Sequence, residues 1–232
     1  MYTEHRLLSE GIRETAFFTG HRYLPSAEKA HIQQRIADAV VTAYNEGYRR
    51  FICGCALGFD TLAALQVLQL KKKYPALILS LAIPCETQAD RWQDKDREIY
   101  RKILVQADEK TVLSPCYFQG VMLTRNRYMA DRSSLCICYL YHMRGGTAST
   151  VRYALKHDRI RIINLASAQD YNTGLLREKA WNYMSTSHSA GKNANTAISC
   201  RFPVPVNRST GSMSRHFAWK WTHEGKTAKA MS

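Results

Sequence analysis

Residues 51–68 read FICGCALGFDTLAALQVL and contain the outline of an α/β unit. An apolar run ends at Cys53, the next residues are spaced by Gly54 and Gly58, and an amphipathic segment begins near Asp60. A strand that ends in glycines and leads into a helix often holds a phosphate. This loop has no lysine, however, and an acid stands where the phosphate would be expected. The stretch therefore predicts a strand, a loop and a helix, and it leaves open what the loop binds.

The rest of residues 14–166 repeats this alternation of strand and helix. Apolar runs predict strands at 15–19, 50–53, 77–83, 111–113, 135–141 and 160–165. Helical patterns cover 26–46, 61–73, 86–107, 121–132 and 148–157. Strands and helices that alternate across short loops predict a parallel sheet covered on both faces. The expected fold class is therefore α/β: a Rossmann-like, doubly wound, mainly parallel sheet with helices on both faces.

The chain of 232 residues is strongly basic, with 33 Lys and Arg against 19 Asp and Glu and a formal net charge of +14. Such a charge favours anionic partners, namely nucleotides or nucleic acid, although a basic surface can also serve solubility alone. No apolar stretch approaches the roughly 20 residues of a membrane span, and the amino-terminal residues lack the apolar core of a secretory signal. Seven cysteines, an odd number, do not indicate a disulfide framework. We therefore expect a cytoplasmic protein without a membrane partner.

Two segments flank the predicted domain at 14–166: an extension at residues 1–13 and a basic tail at 167–232 that is rich in Ser, Thr and Asn. The low aliphatic content of the tail predicts that it is largely disordered. Its aromatic patch, HFAWKW at 216–221, contains rings that can stack on single-stranded bases. An extension without a selected function is the favoured interpretation.

Two C-x-C pairs, Cys53 with Cys55 and Cys136 with Cys138, suggest either a zinc site or core packing. Zinc sites usually use wider C-x₂₋₄-C turns, and strand residues two apart share one face of a sheet. Core packing is therefore favoured for both pairs, and we expect neither a metal nor a cofactor.

Ligands of doubly wound folds bind beyond the carboxyl ends of the strands, and the loops predicted there hold the candidate site. The first loop contains Gly20, His21 and Arg22, whose glycine permits close approach of a ligand and whose arginine can pair with phosphate. An ordinary turn with solvated side chains is the alternative. On a later helix Arg125 and Arg127 lie two residues apart, so that only one of them can face a given ligand. Surface arginines are the alternative there.

The two glycine loops differ in charge. After the first, Asp60 is expected to be the N-cap of its helix, and its carboxylate would repel phosphate. That loop is therefore expected to face a ribose, a base or a neutral edge. In the second loop, Gly145, Gly146 and Thr147 precede a helix without any acid nearby, and Thr147 can cap that helix and offer a hydroxyl. The second loop is the better phosphate cradle.

Five motifs occur in series between residues 15 and 166: FFTGHR, GCALGFDTLAALQVL, IPCETQADRW, RNRYMAD and GGTASTVRYAL. In this order they resemble the YpsA-like branch of the SLOG superfamily, which is named for the DNA-processing protein DprA, also called Smf, and for the LOG cytokinin-activating enzymes. Any one motif is weak, whereas five in series are specific. The resemblance implies a Rossmann-like fold that binds nucleotides or nucleotide-derived ligands at the loops described above.

The two better-known relatives suggest competing functions. LOG enzymes cleave the N-glycosidic bond of a nucleoside 5′-monophosphate with an arginine and with the glutamate of a P-G-G-x-G-T-x-x-E motif. Arg125 resembles that arginine, whereas Arg152 stands at the position of the glutamate, and this charge reversal removes the acid that the reaction needs. DprA proteins bind single-stranded DNA, and their G-x-A-x-G-I-D loop resembles residues 54–60. No separate DNA-binding module is evident in this sequence.

From these patterns we expect a SLOG-type protein that binds a nucleotide-derived small molecule as a sensor or regulator. A LOG-like phosphoribohydrolase and DprA-like binding of single-stranded DNA are the alternatives, so nucleic acid is a less favoured partner. The sequence leaves a homo-oligomer open. The expected ligand-binding residues are Gly20, His21, Arg22, Gly54, Gly58, Asp60, Arg125, Gly145, Gly146 and Thr147. The Gly145 loop is expected at the phosphate, with Arg22 or Arg125 neutralising its charge.

Overall fold

Residues 11–166 are described by a computed structural model, in which six parallel strands alternate with α-helices. The strands are β1 (Thr15–Gly20), β2 (Arg50–Cys53), β3 (Ile78–Ile83), β4 (Glu109–Val112), β5 (Leu135–Tyr139) and β6 (Arg161–Asn164). The helices between them are α1 (Lys29–Asn45), α2 (Phe59–Lys71), α3 (Asp94–Gln106), α4 (Val121–Asp131) and α5 (Gly145–Ala154). The strands pair in the order β4-β3-β2-β1-β5-β6. The predicted Rossmann-like class is confirmed.

The helices cover both faces of the sheet, and the side chains of each strand alternate between two hydrophobic clusters. In β1, Phe18 packs with residues of α1, α2 and α3, whereas Phe17 packs with residues of α4 and α5. Strands that are buried on both faces carry apolar residues at nearly every position. This explains why β1 and β5 appear in the sequence as continuous apolar runs rather than as alternating patterns.

The charged segment 86–107 is not the single helix that its sequence predicts. A short 3-10 helix at Glu86–Ala89 is followed by a break, and α3 begins only at Asp94. The break occurs because Gln93 is extended, with φ −66° and ψ 152°. The residues before the break form part of the loop that follows β3, at the same edge of the sheet as the other candidate loops.

Two other helix starts differ from the prediction. Ser26 is not an N-cap, because it belongs to a 3-10 turn that precedes α1, and Glu28 occupies the cap position. Helix α5 begins at Gly145, three residues before the predicted start, directly after the extended Arg144. Both differences come from turns whose geometry the helical periodicity does not report.

The core-packing interpretation of the cysteine pairs is confirmed. Cys53 and Cys55 are buried in the cluster beneath α1 and α2, and Cys136 and Cys138 are buried in the cluster beneath α4 and α5. Burial raises the pKa of the Cys53 and Cys136 thiols well above the usual range, so these thiols remain protonated. They act as small apolar side chains.

Some sequence predictions concern residues that lie outside 11–166, namely the tail at 167–232 and most of the extension at 1–13. The boundaries of the predicted domain therefore stay a prediction. Among the described helices, none is long and apolar enough to cross a lipid bilayer.

The strand order places a topological switch between β1 and β5. The chain proceeds from β1 outward to β4 on one side and returns through α4 to β5, which pairs with β1 from Ala16 opposite Leu135 to Gly20 opposite Tyr139. The loops that leave β1 and β5 therefore diverge to opposite faces of the sheet. Such a divergence opens a crevice at the carboxyl ends of the strands.

Candidate functional site

A cavity of about 390 Å³ occupies this crevice. Eight of the ten predicted site residues line it: Gly20, His21, Arg22, Asp60, Arg125, Gly145, Gly146 and Thr147. The other two, Gly54 and Gly58, lie behind the lining and are considered below. Loops separated by more than one hundred residues in the chain thus meet at one place, as the parallel topology requires.

Arg125 is the most deeply placed cation of the cavity. Only 6% of the residue is exposed, and its Nε and Nη1 atoms are buried without a hydrogen-bond partner. Its Nη1 atom lies 3.8 Å from Oδ2 of Asp60, which is beyond hydrogen-bond distance. Buried donors are nearly always paired in folded proteins. An arginine with two unpaired donors beside a cavity is therefore a candidate to bind a ligand.

Gly54 makes room for this arginine. A Cβ atom at position 54 would stand 1.5 Å from Nη1 of Arg125 and 2.3 Å from Cζ. The glycine is therefore required by the guanidinium beside it. It acts on the site through Arg125 and does not itself line the cavity.

Asp60 does not cap its helix as predicted. Helix α2 begins at Phe59 with Gly58 at the N-cap position, and no side-chain cap bond is formed. The Asp60 carboxyl group lies instead in the cavity wall, where burial raises its pKa to about 6, against the lowering effects of Arg125, of the backbone at Ala56 and Gly20, and of Arg22. Asp60 is the second residue of α2, two positions past the cap, and its carboxyl group faces the cavity and not the helix end.

Gly58 holds the loop after β2 against the loop after β1. Its φ angle is +86°, and a Cβ atom would stand 2.1 Å from the carbonyl oxygen of Arg22. Gly20 is similarly tight, since a Cβ there would stand 2.3 Å from the ring of Phe59. In addition, the Phe59 amide donates a hydrogen bond to the His21 carbonyl, at 3.2 Å. These contacts fix the spacing of Arg22 and Asp60 across the cavity.

The amino end of α5 forms another part of the wall. Arg144 occupies the N-cap position without a side-chain cap bond, so the predicted capping role of Thr147 is wrong. Thr147 lies in the first turn and is largely buried, while Cβ atoms at Gly145 and Gly146 would meet nothing within 4 Å. The helix start therefore faces open space. Its first amides lack intrahelical partners and carry the positive end of the helix dipole.

A polar chain anchors this helix start to α4. Nδ2 of Asn126 donates to Oγ1 of Thr150 at 2.6 Å, and that hydroxyl donates to the carbonyl oxygen of Gly146 at 2.8 Å. Asn126 follows Arg125 directly in the chain and also lines the cavity. The guanidinium and the amino end of α5 are thus held in a fixed relation by adjacent residues of α4.

His21 is a neutral side chain packed in an aromatic cluster. Its ring stacks on His142 at 3.9 Å and meets Tyr141 edge-on at 4.2 Å. The amide of His142 donates to Nε2 of His21 at 3.4 Å. Burial, helped by the charge of His142, lowers the pKa of His21 to about 4. The imidazole is therefore uncharged at neutral pH and adds no positive charge to the cavity.

Sequence reasoning missed several residues of the wall, among them Gln88, Trp92, Tyr141 and His142. The first two follow β3, and Pro84 directly after that strand was the available signal for a further loop at the same edge of the sheet. The other two follow β5, whose predicted end at 141 placed them inside or next to a strand.

Three further charged residues of α4 and α5 lie elsewhere. Arg127 is exposed, and its guanidinium lies 5.5 Å from the ring centroid of Tyr153. Asp131 accepts a hydrogen bond from the Tyr153 hydroxyl at 2.9 Å. Arg152 donates to the carbonyl of Met143 at 2.6 Å. None of the three lines the cavity, so Asp60 is the one acid among the described residues of its wall.

Several bacterial proteins are similar in sequence. A UPF0398 protein of Bacillus pumilus is 28% identical over 107 residues, which cover 45% of this chain and 55% of that protein. The SPbeta prophage-derived protein YoqJ of Bacillus subtilis is 32% identical over 133 residues, covering 52% of this chain and 77% of that protein. The matches to the first UPF0398 relatives span between 48% and 60% of their lengths.

The fold is similar to that of a solved DNA-processing protein, and the sequence matches a family model. DNA processing protein A (DprA) from Streptococcus pneumoniae superposes with a TM-score of 0.52 at 17% identity, covering 78% of this chain and 58% of that one. At this identity the likeness shows the fold alone. The model of the YpsA family, described as a SLOG family, matches residues 25–175. Because that match covers well over half of the 232 residues, the chain belongs to the YpsA SLOG family.

Proposed function

We propose that this protein binds a nucleotide or nucleotide-derived ligand in the cavity between β1 and β5 and acts as a sensor or regulator. The observation that carries the proposal is the placement of Arg125. Its guanidinium is buried, has two unpaired donors, and lines the same cavity as the open amino end of α5. A buried cation and a helix amino terminus together favour an anionic ligand.

The charge balance of the wall supports this choice. The lining contains three arginines, Arg22, Arg125 and Arg144, against the single acid Asp60. The phosphate is proposed at Gly145, Gly146 and Thr147, where no acid competes for the amides. Arg22 or Arg125 neutralises its charge.

A regulatory role is favoured by the residue at the position of the LOG glutamate. Arg152 at that position braces the loop between β5 and α5 through its bond to Met143 and stays outside the cavity wall. It can neither activate water nor stabilise a cationic sugar. The protein therefore lacks the acid of the LOG-like reaction at its usual place.

N-glycosidic hydrolysis is the second candidate, and Asp60 is the observation that favours it. Its carboxyl group lines the cavity beside Arg125, and burial raises its pKa to about 6. A carboxyl group with a pKa near neutrality can exchange a proton with substrate or water. Among the described residues of the wall, Asp60 is the acid through which such hydrolysis would proceed.

Thermal unfolding of the full chain with a panel of free bases, nucleosides, nucleoside 5′-monophosphates and nucleoside diphosphates tests the binding proposal. A ligand that binds only the folded state raises the melting temperature as its concentration exceeds Kd. We expect a rise with at least one phosphorylated compound and none with its free base. No rise with any compound would contradict the proposal.

Two further arms separate the alternative functions. Incubation with each monophosphate, followed by chromatography for free base, detects hydrolysis; turnover that Asp60→Asn abolishes would replace the sensor role by an enzymatic one. Titration with single-stranded DNA at increasing salt detects nucleic-acid binding, whose affinity falls steeply as salt rises. Tight, salt-dependent binding of DNA without any nucleotide effect would favour the DNA-binding alternative.

A further inference from the structure

The deep end of the cavity carries hydrogen-bond acceptors as well as donors. Asp60 and Arg125 face each other there at 3.8 Å. Gln88 lines the same wall, and its Nε2 atom donates to the carbonyl oxygens of Gly54 at 3.4 Å and Cys55 at 3.0 Å. Its Oε1 atom is buried without a partner. The wall of the cavity thus contains two unpaired donors of Arg125, the Asp60 carboxylate and an unpaired amide oxygen.

Such a set of groups does not suit a phosphate. A phosphate group presents acceptor oxygens and negative charge, so it would oppose both the Asp60 carboxylate and the Gln88 oxygen. The two walls of the cavity therefore differ: the amino end of α5 offers donors only, whereas the deep end offers both donors and acceptors.

A hydroxyl group matches the deep end. It has one donor and two acceptor lone pairs. The 3.8 Å between Nη1 of Arg125 and Oδ2 of Asp60 is too long for a direct hydrogen bond, but it lets one oxygen bond to both atoms at ordinary distances. A second, neighbouring hydroxyl would supply a donor for the Gln88 oxygen. Two adjacent hydroxyls are the arrangement of a ribose 2′,3′-diol.

We infer that Asp60, Arg125 and Gln88 bind the vicinal diol of a ribose, and that the ligand is a ribonucleotide and not a deoxyribonucleotide. The inference rests on the proposed function, and it assigns Arg125 to the sugar. Arg22 is then the arginine that neutralises the phosphate at the amino end of α5. Asp60, the second residue of α2, then acts as a sugar-specificity residue.

Calorimetric titration of the full chain tests the inference. The probes are the four ribonucleoside 5′-monophosphates, their 2′-deoxy and 3′-deoxy counterparts, and ribose 5-phosphate. Removing either hydroxyl leaves its buried partner on the protein unpaired, so each deoxy compound is expected to bind about tenfold to a hundredfold more weakly than its parent. Ribose 5-phosphate retains the diol and is expected to compete with the best ribonucleotide.

The variant Asp60→Asn separates sugar recognition from general damage to the fold. It keeps the shape of the side chain but replaces one acceptor oxygen by a donor, so the preference for ribose over deoxyribose is expected to shrink to about threefold or less. Its melting temperature, measured alongside, shows whether it is folded. Equal binding of ribonucleotides and deoxyribonucleotides by the wild type would overturn the inference and leave the proposed function standing. An undiminished ribose preference in folded Asp60→Asn would likewise overturn it, and absence of binding by every probe would overturn both proposals.

Discussion

Gly54 stands directly against the guanidinium of Arg125, because a Cβ at position 54 would lie 1.5 Å from its Nη1 atom. The variant Gly54→Ala should push the guanidinium away from Asp60 and from the deep end of the cavity. Since the clash is with the far end of a flexible side chain, the free energy of unfolding should change by no more than about 1 kcal/mol. Affinity for the best-bound nucleotide should fall about tenfold.

A double-mutant cycle checks that Gly54 acts through Arg125. In the Arg125→Ala background, Gly54→Ala should cost little further affinity, because the side chain that it displaces is already absent. Urea denaturation and calorimetric titration of the four proteins give the two free energies. Additive losses of affinity would show that Gly54 contacts the ligand itself.

The second prediction concerns the contact between the loops after β1 and β2. Gly58 has a φ angle of +86° and leaves 2.1 Å between a Cβ and the carbonyl oxygen of Arg22, whereas Gly120 has a φ angle of +98° and nothing within 4 Å. At Gly120, whose ψ angle of −7° places it in the left-handed region, alanine should cost about 1–2 kcal/mol. Gly58 has a ψ angle of −121°, outside that region, and the backbone clash adds to its strain, so Gly58→Ala should lose about 3 kcal/mol or more.

Gly120→Ala is the control for this comparison, since Gly120 also has a positive φ angle but a Cβ there would meet nothing within 4 Å. The excess destabilisation of Gly58→Ala in urea denaturation measures the combined cost of its ψ angle and of the close approach of the two loops. Equal destabilisation by both substitutions would mean that the loops move apart at little cost.

The third prediction is a pH dependence centred on Asp60. Its pKa is raised by burial from 3.8 to about 6 in the folded protein, so the folded state holds this proton more tightly than the unfolded state does. The stabilisation from protonation is fully present below pH 3.8 and is lost as the pH rises through 6. Above pH 6 the ionised carboxylate therefore destabilises the fold, by about 3 kcal/mol.

Asp60→Asn removes this titration. The variant should be more stable than the wild type by up to about 3 kcal/mol above pH 7, and the difference should shrink as the pH is lowered toward 4. The pKa of His21 is lowered from 6.5 to about 4, so protonation of His21 destabilises both proteins as the pH falls through that range. This effect is the same in both proteins and cancels in the difference between their free energies of unfolding. Urea denaturation at several pH values measures the difference in the free energy of unfolding between the variant and the wild type. A difference that stays constant with pH would show that Asp60 is not the titrating group.

The fourth prediction separates stability from binding at the start of α5. A Cβ at Gly146 would meet nothing within 4 Å, so Gly146→Ala should stabilise the protein by about 0.5–1 kcal/mol through the better helix propensity of alanine. The same methyl group would enter the space proposed for the phosphate, so nucleotide affinity should fall about fivefold or more. Increased stability with unchanged affinity would place the phosphate elsewhere.

Much of the site was predictable because parallel topology gathers the loops that follow the strands. Once the alternation of strands and helices was recognised, Arg22, Asp60 and the Gly145 loop had to meet at one edge of the sheet. Arg125 was the exception, since it lies within a helix, and the family resemblance indicated it. Its unpaired donors and its contact with Gly54 follow from three-dimensional packing that the sequence pattern does not contain.

The errors have a common physical cause. Helical periodicity reports which residues are apolar, but it does not report where one extended residue breaks a helix. Because the break at Gln93 is not visible in the periodicity, Gln88 and Trp92 were assigned to a helix and not to a loop of the cavity wall. The capping roles of Asp60 and Thr147 were wrong because a position near a helix start does not fix the side-chain torsions. In both cases the side chain is buried beside the cavity and makes no cap bond.

The central claim, that a nucleotide binds beside Arg125, is tested most directly by calorimetric titration of a matched pair of variants. Arg125→Met removes the buried guanidinium and keeps much of its volume, whereas Arg127→Met removes an exposed arginine two residues along the same helix. We predict saturable binding of a nucleotide by the wild type and by Arg127→Met, with affinity reduced at least about tenfold in Arg125→Met. Equal binding by both variants, or no binding by the wild type, would contradict the account.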